Sequence, residues 1–375
     1  MARVYMAYGE YEKAQPLAEQ ALVLAKANDA TDTELCACLI DLAWLYKSQG
    51  KLADAEQMCQ QGMELQKKAY YESHPYVAYT LRILSSIYQE QSRYREAGSA
   101  LEEALAIMQK NHLPDEPIMA PFYVDIAKLL VAQGYFAEAE FYYQQAMTLI
   151  NKQYGANHLY TAGVLGSIAK LYTLLGRYPE AEELVNQSLS VQDKIYGPDH
   201  YLSAPIWVTM AKICQVNKDY TRAEGLLQKA LFAVGEKEGM NHPHTGRILN
   251  DLGELYIVEG KYAEAEMVCQ QAAEVLENSL GTENDSTAMT FNNLARLYIQ
   301  QEEYSKAQEL CQKALDTLEK IFDQNHPNVA DVLETMAQLQ QKLGNTAEAA
   351  KLVERAEEIR ACSQAAYMSI AKAIE

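Results

Sequence analysis

The sequence is poor in the residues that staple small secreted folds or anchor membrane segments. Tryptophan occurs twice and phenylalanine six times in 375 residues. The seven cysteines include no CxxC pair. Their odd number argues against a disulfide framework and predicts reduced thiols in the cytoplasm. Positive charge is scarce, with 32 Lys+Arg against 51 Asp+Glu and a net charge of −19. That balance argues against nucleic-acid binding and against an anionic membrane surface. No run approaches about 18 apolar residues, which excludes a spanning helix. The opening Met-Ala-Arg-Val-Tyr carries no apolar signal segment. Apolar residues are nevertheless plentiful at 49%, enough for a buried core. By length alone, two or three ordinary domains of roughly 100–200 residues would be expected.

A repeat replaces that expectation. Gly-Glu-Tyr-Glu-Lys-Ala from Gly9 recurs as Gly-Lys-Leu-Ala-Asp-Ala from Gly50 and Ser-Arg-Tyr-Arg-Glu-Ala from Ser92. It continues from Gly134, Gly176, Lys218, Gly260, Glu302 and Gly344, first after 41 residues and then always after 42. Every one of the nine copies places alanine five residues on, from Ala14 and Ala55 through Ala265, Ala307 and Ala349. A fixed period of this length predicts stacked supersecondary units rather than separate globular domains.

Each copy reads as two helices. Before the turn, Leu249, Leu252, Gly253 and Tyr256 fall at helical spacing, as do Phe291, Leu294, Ala295 and Tyr298. The turn glycine supplies a left-handed residue that ends the first helix. The second helix ends near Gly155, Gly197, Gly239 or Gly281. An Asn/Asp-His-(Pro) phrase then starts the next helix, as in Asn241-His242-Pro243 and Asn325-His326-Pro327. Small residues at the recurring alanine let helix axes approach to roughly 8–10 Å.

These phrases resemble tetratricopeptide repeats of the 42-residue kinesin-light-chain type. The resemblance rests on His326-Pro327-Asn328-Val329-Ala330, on Phe291-Asn292-Asn293-Leu294-Ala295-Arg296-Leu297-Tyr298, and on Gly260-Lys261-Tyr262-Ala263-Glu264-Ala265-Glu266. It covers about residues 1–361. It implies an all-α, right-handed superhelical solenoid with repeats near 1–30, 33–72, 75–113, 117–155, 159–197, 201–239, 243–281, 285–323 and 327–361. Residues 362–375, with Ala366, Ile370 and Ile374 at spacing four, are expected to form a capping helix. Met1, Ala2 and Tyr5 occupy the last places of a first helix whose opening turns are missing. This predicts a piece of a longer protein or a late start. The kinesin heptad coiled coil is absent, so a motor-adaptor role does not carry over.

Twelve of the 26 tyrosines fall at two repeat positions, among them Tyr172, Tyr256 and Tyr298 before the turn and Tyr178, Tyr262 and Tyr304 after it. They are expected to wedge between helices with hydroxyls at the edge. His74, His158, His200, His242 and His326 share the inter-repeat phrase, too far apart across repeats to share a metal ion, and read as turn residues. His112 and His244 have no Cys or Asp at ligand spacing and read the same way. Cys59, Cys269 and Cys311 sit nine residues after their turns and behave as small buried hydrophobes. No GxSxG, Walker A, GxGxxG or HExxH pattern occurs, so neither an enzyme nor a bound cofactor or metal is expected.

First helices of stacked repeats line the concave side, where such proteins bind partners. In the kinesin-light-chain type, residues six, nine, ten and thirteen places before the turn face that groove. Six places before stand Trp44, Ser86, Lys128, Lys170, Lys212, Glu254, Arg296 and Gln338, including three consecutive lysines. Asp125, Asp251 and Asn293 stand at nine, Arg82, Asn250 and Asn292 at ten, and Arg247 at thirteen. The resemblance implies that Asn292 and Asn293 hold a peptide backbone. The expected function is a scaffold binding an extended, acidic peptide through Lys128, Lys170, Lys212, Arg247, Asn250, Asp251, Asn292, Asn293 and Arg296. Carboxylate-clamp modules that grip chaperone C-termini are similar in fold. They use 34-residue repeats, however, and Asp331 and Thr335 stand where the clamp needs cations. A structural array within a larger signalling protein, or a homo-oligomer joined through the truncated N-terminal face, is the other reading.

Overall fold

The computed structural model describes residues 1–374 except 8, 29, 71–73, 112–115 and 323, with no account of the side chains of 7 and 363–374. His112 and residue 375 of the capping segment therefore lie outside the described residues. Among the described residues the chain is helical, with no strand. The helices pair as α1 (Ala2–Ala7) with α2 (Tyr11–Ala27), α3 (Asp32–Ser48) with α4 (Leu52–Ala69), and α5 (Pro75–Glu90) with α6 (Tyr94–Lys110). Next in chain order come α7 (Ala120–Ala132) and α8 (Phe136–Tyr154), then the pairs α9 (Leu159–Leu174) with α10 (Tyr178–Tyr196) and α11 (Ala204–Val216) with α12 (Tyr220–Glu238). The last pairs are α13 (Pro243–Glu259) with α14 (Tyr262–Leu280), α15 (Asp285–Gln300) with α16 (Tyr304–Ile321), and α17 (Pro327–Lys342) with α18 (Thr346–Ile374). This is a helical repeat solenoid. Residues 362–374 continue α18 without a break.

The turn inside each repeat follows from one local motif. Gly50 adopts φ 72°, its N–H bonds the Lys47 carbonyl, and the Lys51 N–H reaches back to Tyr46. This is the Schellman arrangement, which satisfies carbonyls the helix end leaves open. The same reach-back bond joins Arg93 to Tyr88, Arg177 to Tyr172, Lys261 to Tyr256 and Glu303 to Tyr298. Ser92, Lys218 and Glu302 hold the left-handed conformation without being glycine, at φ 58–64°.

The recurring alanine is buried in all nine copies, fully so in eight. It lies where the helices of a repeat cross, a place with no room for a larger side chain. One turn on from Ala265 the first helix is small too: a Cβ added to Gly253 would lie 2.2 Å from Cys269 Sγ. Cys59, Cys269 and Cys311 are fully buried, and burial pushes each thiol up to about 12. Tyr256 and Tyr298 are buried rings with hydroxyls at the edge. Tyr256 donates to Glu224 at 2.8 Å, and Tyr172 to Glu140 at 2.7 Å.

The chain divides into two compact units, unit 1 (Met1–Leu129) and unit 2 (Leu130–Glu375). Unit 1 stacks neighbour on neighbour. Unit 2 also closes on itself, because α18 packs on α8. There, His326 Nε2 donates to the Ala132 carbonyl at 2.8 Å, and a Cβ on Gly134 would meet Pro327 Cδ at 2.8 Å. Repeats five copies apart in sequence thus touch in space.

Candidate peptide-binding surface

The inter-repeat histidines are helix caps. In His74, His158, His200, His242 and His326 the Nδ1 accepts the backbone N–H two residues on, at 3.1–3.3 Å. They start α5, α9, the short 3-10 turn before α11, α13 and α17, and so set where each first helix presents its side chains. Four stack on an aromatic ring four residues earlier: Tyr70, Tyr154, Tyr196 or Phe322.

The candidate binding residues fall into both units. In unit 1, Lys128 stands 3.9 Å from Asp125, whose other oxygen accepts from Arg82 at 2.7 Å. Lys47 lies near the same group, and burial draws its pKa downward. Trp44 is half-buried, edge-on to Tyr11 at 5.9 Å, and packs on the core around Leu42 and Leu45.

In unit 2, Lys212 on α11 bridges to Glu254 at 2.5 Å and Asp251 at 3.5 Å on α13. Burial lowers the lysine's pKa and the two carboxylates raise it; the carboxylates win, so Lys212 stays charged. Burial pushes Asp251 up despite Lys212 and Lys170, whereas the lysine holds Glu254 down. Two carboxylates share one close cation here, and the one farther from Lys212 is the more easily protonated. On the next helices Asn293 Nδ2 donates to Asn250 Oδ1 at 3.0 Å, and Arg296 donates to Asn293 Oδ1 at 3.2 Å. Arg247 donates to Ser286 Oγ at 3.1 Å.

Asn292 is apart from this line. It is 3% exposed, and its Oδ1 faces no donor. The structure therefore pairs Asn250 with Asn293, not with Asn292. Two partners escaped the sequence reading: Arg360 on α18 bonds both Asp331 (2.8 Å) and Glu334 (2.9 Å) on α17. Lys212 and Glu254 occupy the same repeat position in consecutive copies, a signal for their bridge that was available in the sequence.

The tetratricopeptide-repeat family model matches residues 1–68, 48–110, 118–194, 162–233, 244–320 and 294–361. The chain belongs to the tetratricopeptide-repeat family. No curated protein matches its sequence. Among solved structures, a Rap protein complexed with Competence and Sporulation Factor is similar over 97% of each chain, with 17% identity and a TM-score of 0.70. The apo form of RapI is similar over 76% of this chain and 97% of its own, with 17% identity and a TM-score of 0.53. A putative kinesin light chain from Podosopora anserina is 24% identical over 55% of this chain and 98% of its own, with a TM-score of 0.41. The likenesses to the two Rap proteins show the fold. Tetratricopeptide repeats form a non-catalytic interaction scaffold, and this chain has the architecture of a protein-protein interaction module. No described helix of this tetratricopeptide-repeat chain is long and apolar enough to cross a membrane.

Proposed function

We propose that the chain is a non-enzymatic, cytoplasmic scaffold that binds an extended, acidic peptide segment of a protein partner on the first helices of unit 2. The line Asn250, Asn293 and Arg296 supports this most directly. Asn293 is 4% exposed and bonded to both Asn250 and Arg296, so it holds the line in place, while the Asn250 amide N–H groups are available to an extended backbone and the guanidinium takes an acidic side chain. Lys170 and Lys212 add positive charge beside it; Lys128 adds positive charge within unit 1. An acidic ligand competes with Asp251 and Glu254 for Lys212. Each exposed charge contact is therefore worth only a fraction of a kcal/mol, and the cations act together. The Rap complex with Competence and Sporulation Factor is an example of this architecture holding a partner.

Fluorescence anisotropy with acidic and basic peptide pools at low and high salt tests the reading. Acidic peptides should bind more tightly, and salt should weaken them. Changing Asn250→Ala with Asn293→Ala should weaken binding at least about tenfold, since each lost partner strands a donor or acceptor worth about 1–3 kcal/mol. The helical signal should not change. Equal binding of both pools removes the electrostatic part, and an inert double variant removes the site. A second reading, self-association through the N-terminal face, draws on the exposed apolar Val4, Val23 and Leu24. Light scattering that returns a monomer at all concentrations disposes of it.

A further inference from the structure

One inter-repeat cap is built differently from the rest. In four caps the pattern is aromatic, then histidine four residues on, as in Tyr70 and His74 or Phe322 and His326. In two of these, a tyrosine two residues further on, Tyr76 or Tyr160, completes a cluster of rings. At the junction of α12 and α13 both aromatic places change, to Glu238 and His244, around the cap His242. Metal-ligand side chains replace both rings.

Glu238 Oε2 lies 2.9 Å from His242 Nδ1 and 2.8 Å from His244 Nδ1. One ligand atom from each residue falls within 4.8 Å of the other two. Glu238 and His242 are buried, whereas the His244 side chain is 48% exposed and opens the cluster to solvent. A tetrahedral ion with bonds of about 2.0–2.1 Å would hold its ligands about 3.3 Å apart. The two gaps from Glu238 Oε2 need open only by about half an ångström to match that spacing, and the two imidazole nitrogens lie within 4.8 Å of each other.

Without an ion the cluster is frustrated. His242 Nδ1 accepts the His244 N–H at 3.2 Å, which requires its lone pair to point there. A carboxylate oxygen stands 2.9 Å from that same nitrogen, and the buried Nε2 has no partner. A neutral imidazole cannot lend one nitrogen's lone pair to an N–H and a proton to a carboxylate. A cation between the two electron-rich atoms removes that conflict at the cost of a weak cap bond.

We propose that Glu238, His242 and His244 form a binding site for a first-row divalent ion of the zinc type, with at least one position open to water. Two imidazoles and a carboxylate suit such an ion better than calcium or magnesium, which take oxygen ligands. The ion would tie the end of α12 to the start of α13, the helix that carries Asn250 and Asp251. The site does not depend on peptide binding.

Isothermal titration of the full chain with zinc chloride, paired with thermal melting, tests the assignment. Wild type should bind one more zinc equivalent than His244→Ala or Glu238→Gln, with affinity at that site reduced at least about tenfold in either variant. Zinc should raise the wild-type melting temperature and leave both variants unmoved. His158→Ala, altering a cap with aromatic neighbours, should keep the extra equivalent. His244 is half exposed, so His244→Ala retains the fold even if Glu238→Gln does not. Equal stoichiometry and affinity in wild type and His244→Ala, or no zinc binding by wild type, would mean a hydrogen-bonded triad held by a proton alone, and would overturn the proposal.

Discussion

Unit 1 and unit 2 are assembled from the same 42-residue phrase, yet they are held together differently. Unit 1 has contacts of the usual solenoid kind, each repeat against its neighbours. In unit 2, α18 lies on α8 and His326 bonds the backbone at Ala132. A one-dimensional array unfolds piecemeal because its stability is a sum of local terms. Tying non-neighbouring repeats together adds a term that no single repeat owns, so unit 2 should lose its structure more nearly as a whole.

The sharpest way to break that contrast is to overpack one crossing in each unit. Ala265→Leu in unit 2 and Ala97→Leu in unit 1 both insert a side chain at a fully buried alanine. Each should destabilise by about 1–3 kcal/mol or more. Hydrogen exchange should show protection falling across α8 to α18 for Ala265→Leu, and only around α5 and α6 for Ala97→Leu. Local loss in both variants would erase the distinction between the units.

A smaller effect isolates the closing contact. His74→Ala in unit 1 removes a cap, worth about 1 kcal/mol, and a ring stacked on Tyr70, as His326→Ala does on Phe322. His326→Ala in unit 2 removes a cap and also leaves the Ala132 carbonyl without its donor, at a further cost of about 1–3 kcal/mol. Denaturant melts should rank His326→Ala as the more damaging. Equal losses would show that the contact contributes nothing net.

The smallest effect should be shared by both units. Ser92 in unit 1 and Glu302 in unit 2 occupy the left-handed turn position that glycine fills in most copies. A non-glycine residue there costs roughly 1–2 kcal/mol, partly offset by the backbone freedom glycine loses on folding. Ser92→Gly and Glu302→Gly should each raise stability by about 0.5–1 kcal/mol, read as a higher urea midpoint with an unchanged slope.

What was legible in the sequence was whatever repeats every 42 residues. The buried alanine, the turn, the capping histidines and the wedged tyrosines each depend on neighbours a few residues or one repeat away, so their periodicity exposes them. The contact of His326 with Ala132 does not. It arises from small rotations accumulated over five repeats, and no spacing encodes their sum. The surface residues stood between these cases. Lys212 and Glu254 share a repeat position and could have been paired from spacing. Whether Asn292 or Asn293 meets Asn250 turns on about 100° of helix rotation, and only the packed helices decide it. His244 has no Cys or Asp at ligand spacing, and its partner is a glutamate instead. The telling sign was Glu238 in a place where other copies carry a ring.

Closure also bears on how unit 2 can change in length over generations. An open stack tolerates unequal recombination, since a gained or lost cassette merely shortens or lengthens it. In unit 2, deleting 42 residues between Ala132 and His326 would leave the two ends one step out of phase. Adding a cassette would overshoot by the same step. The contact therefore makes copy number a discrete, selected quantity there, and lineages that vary the array should do so within unit 1.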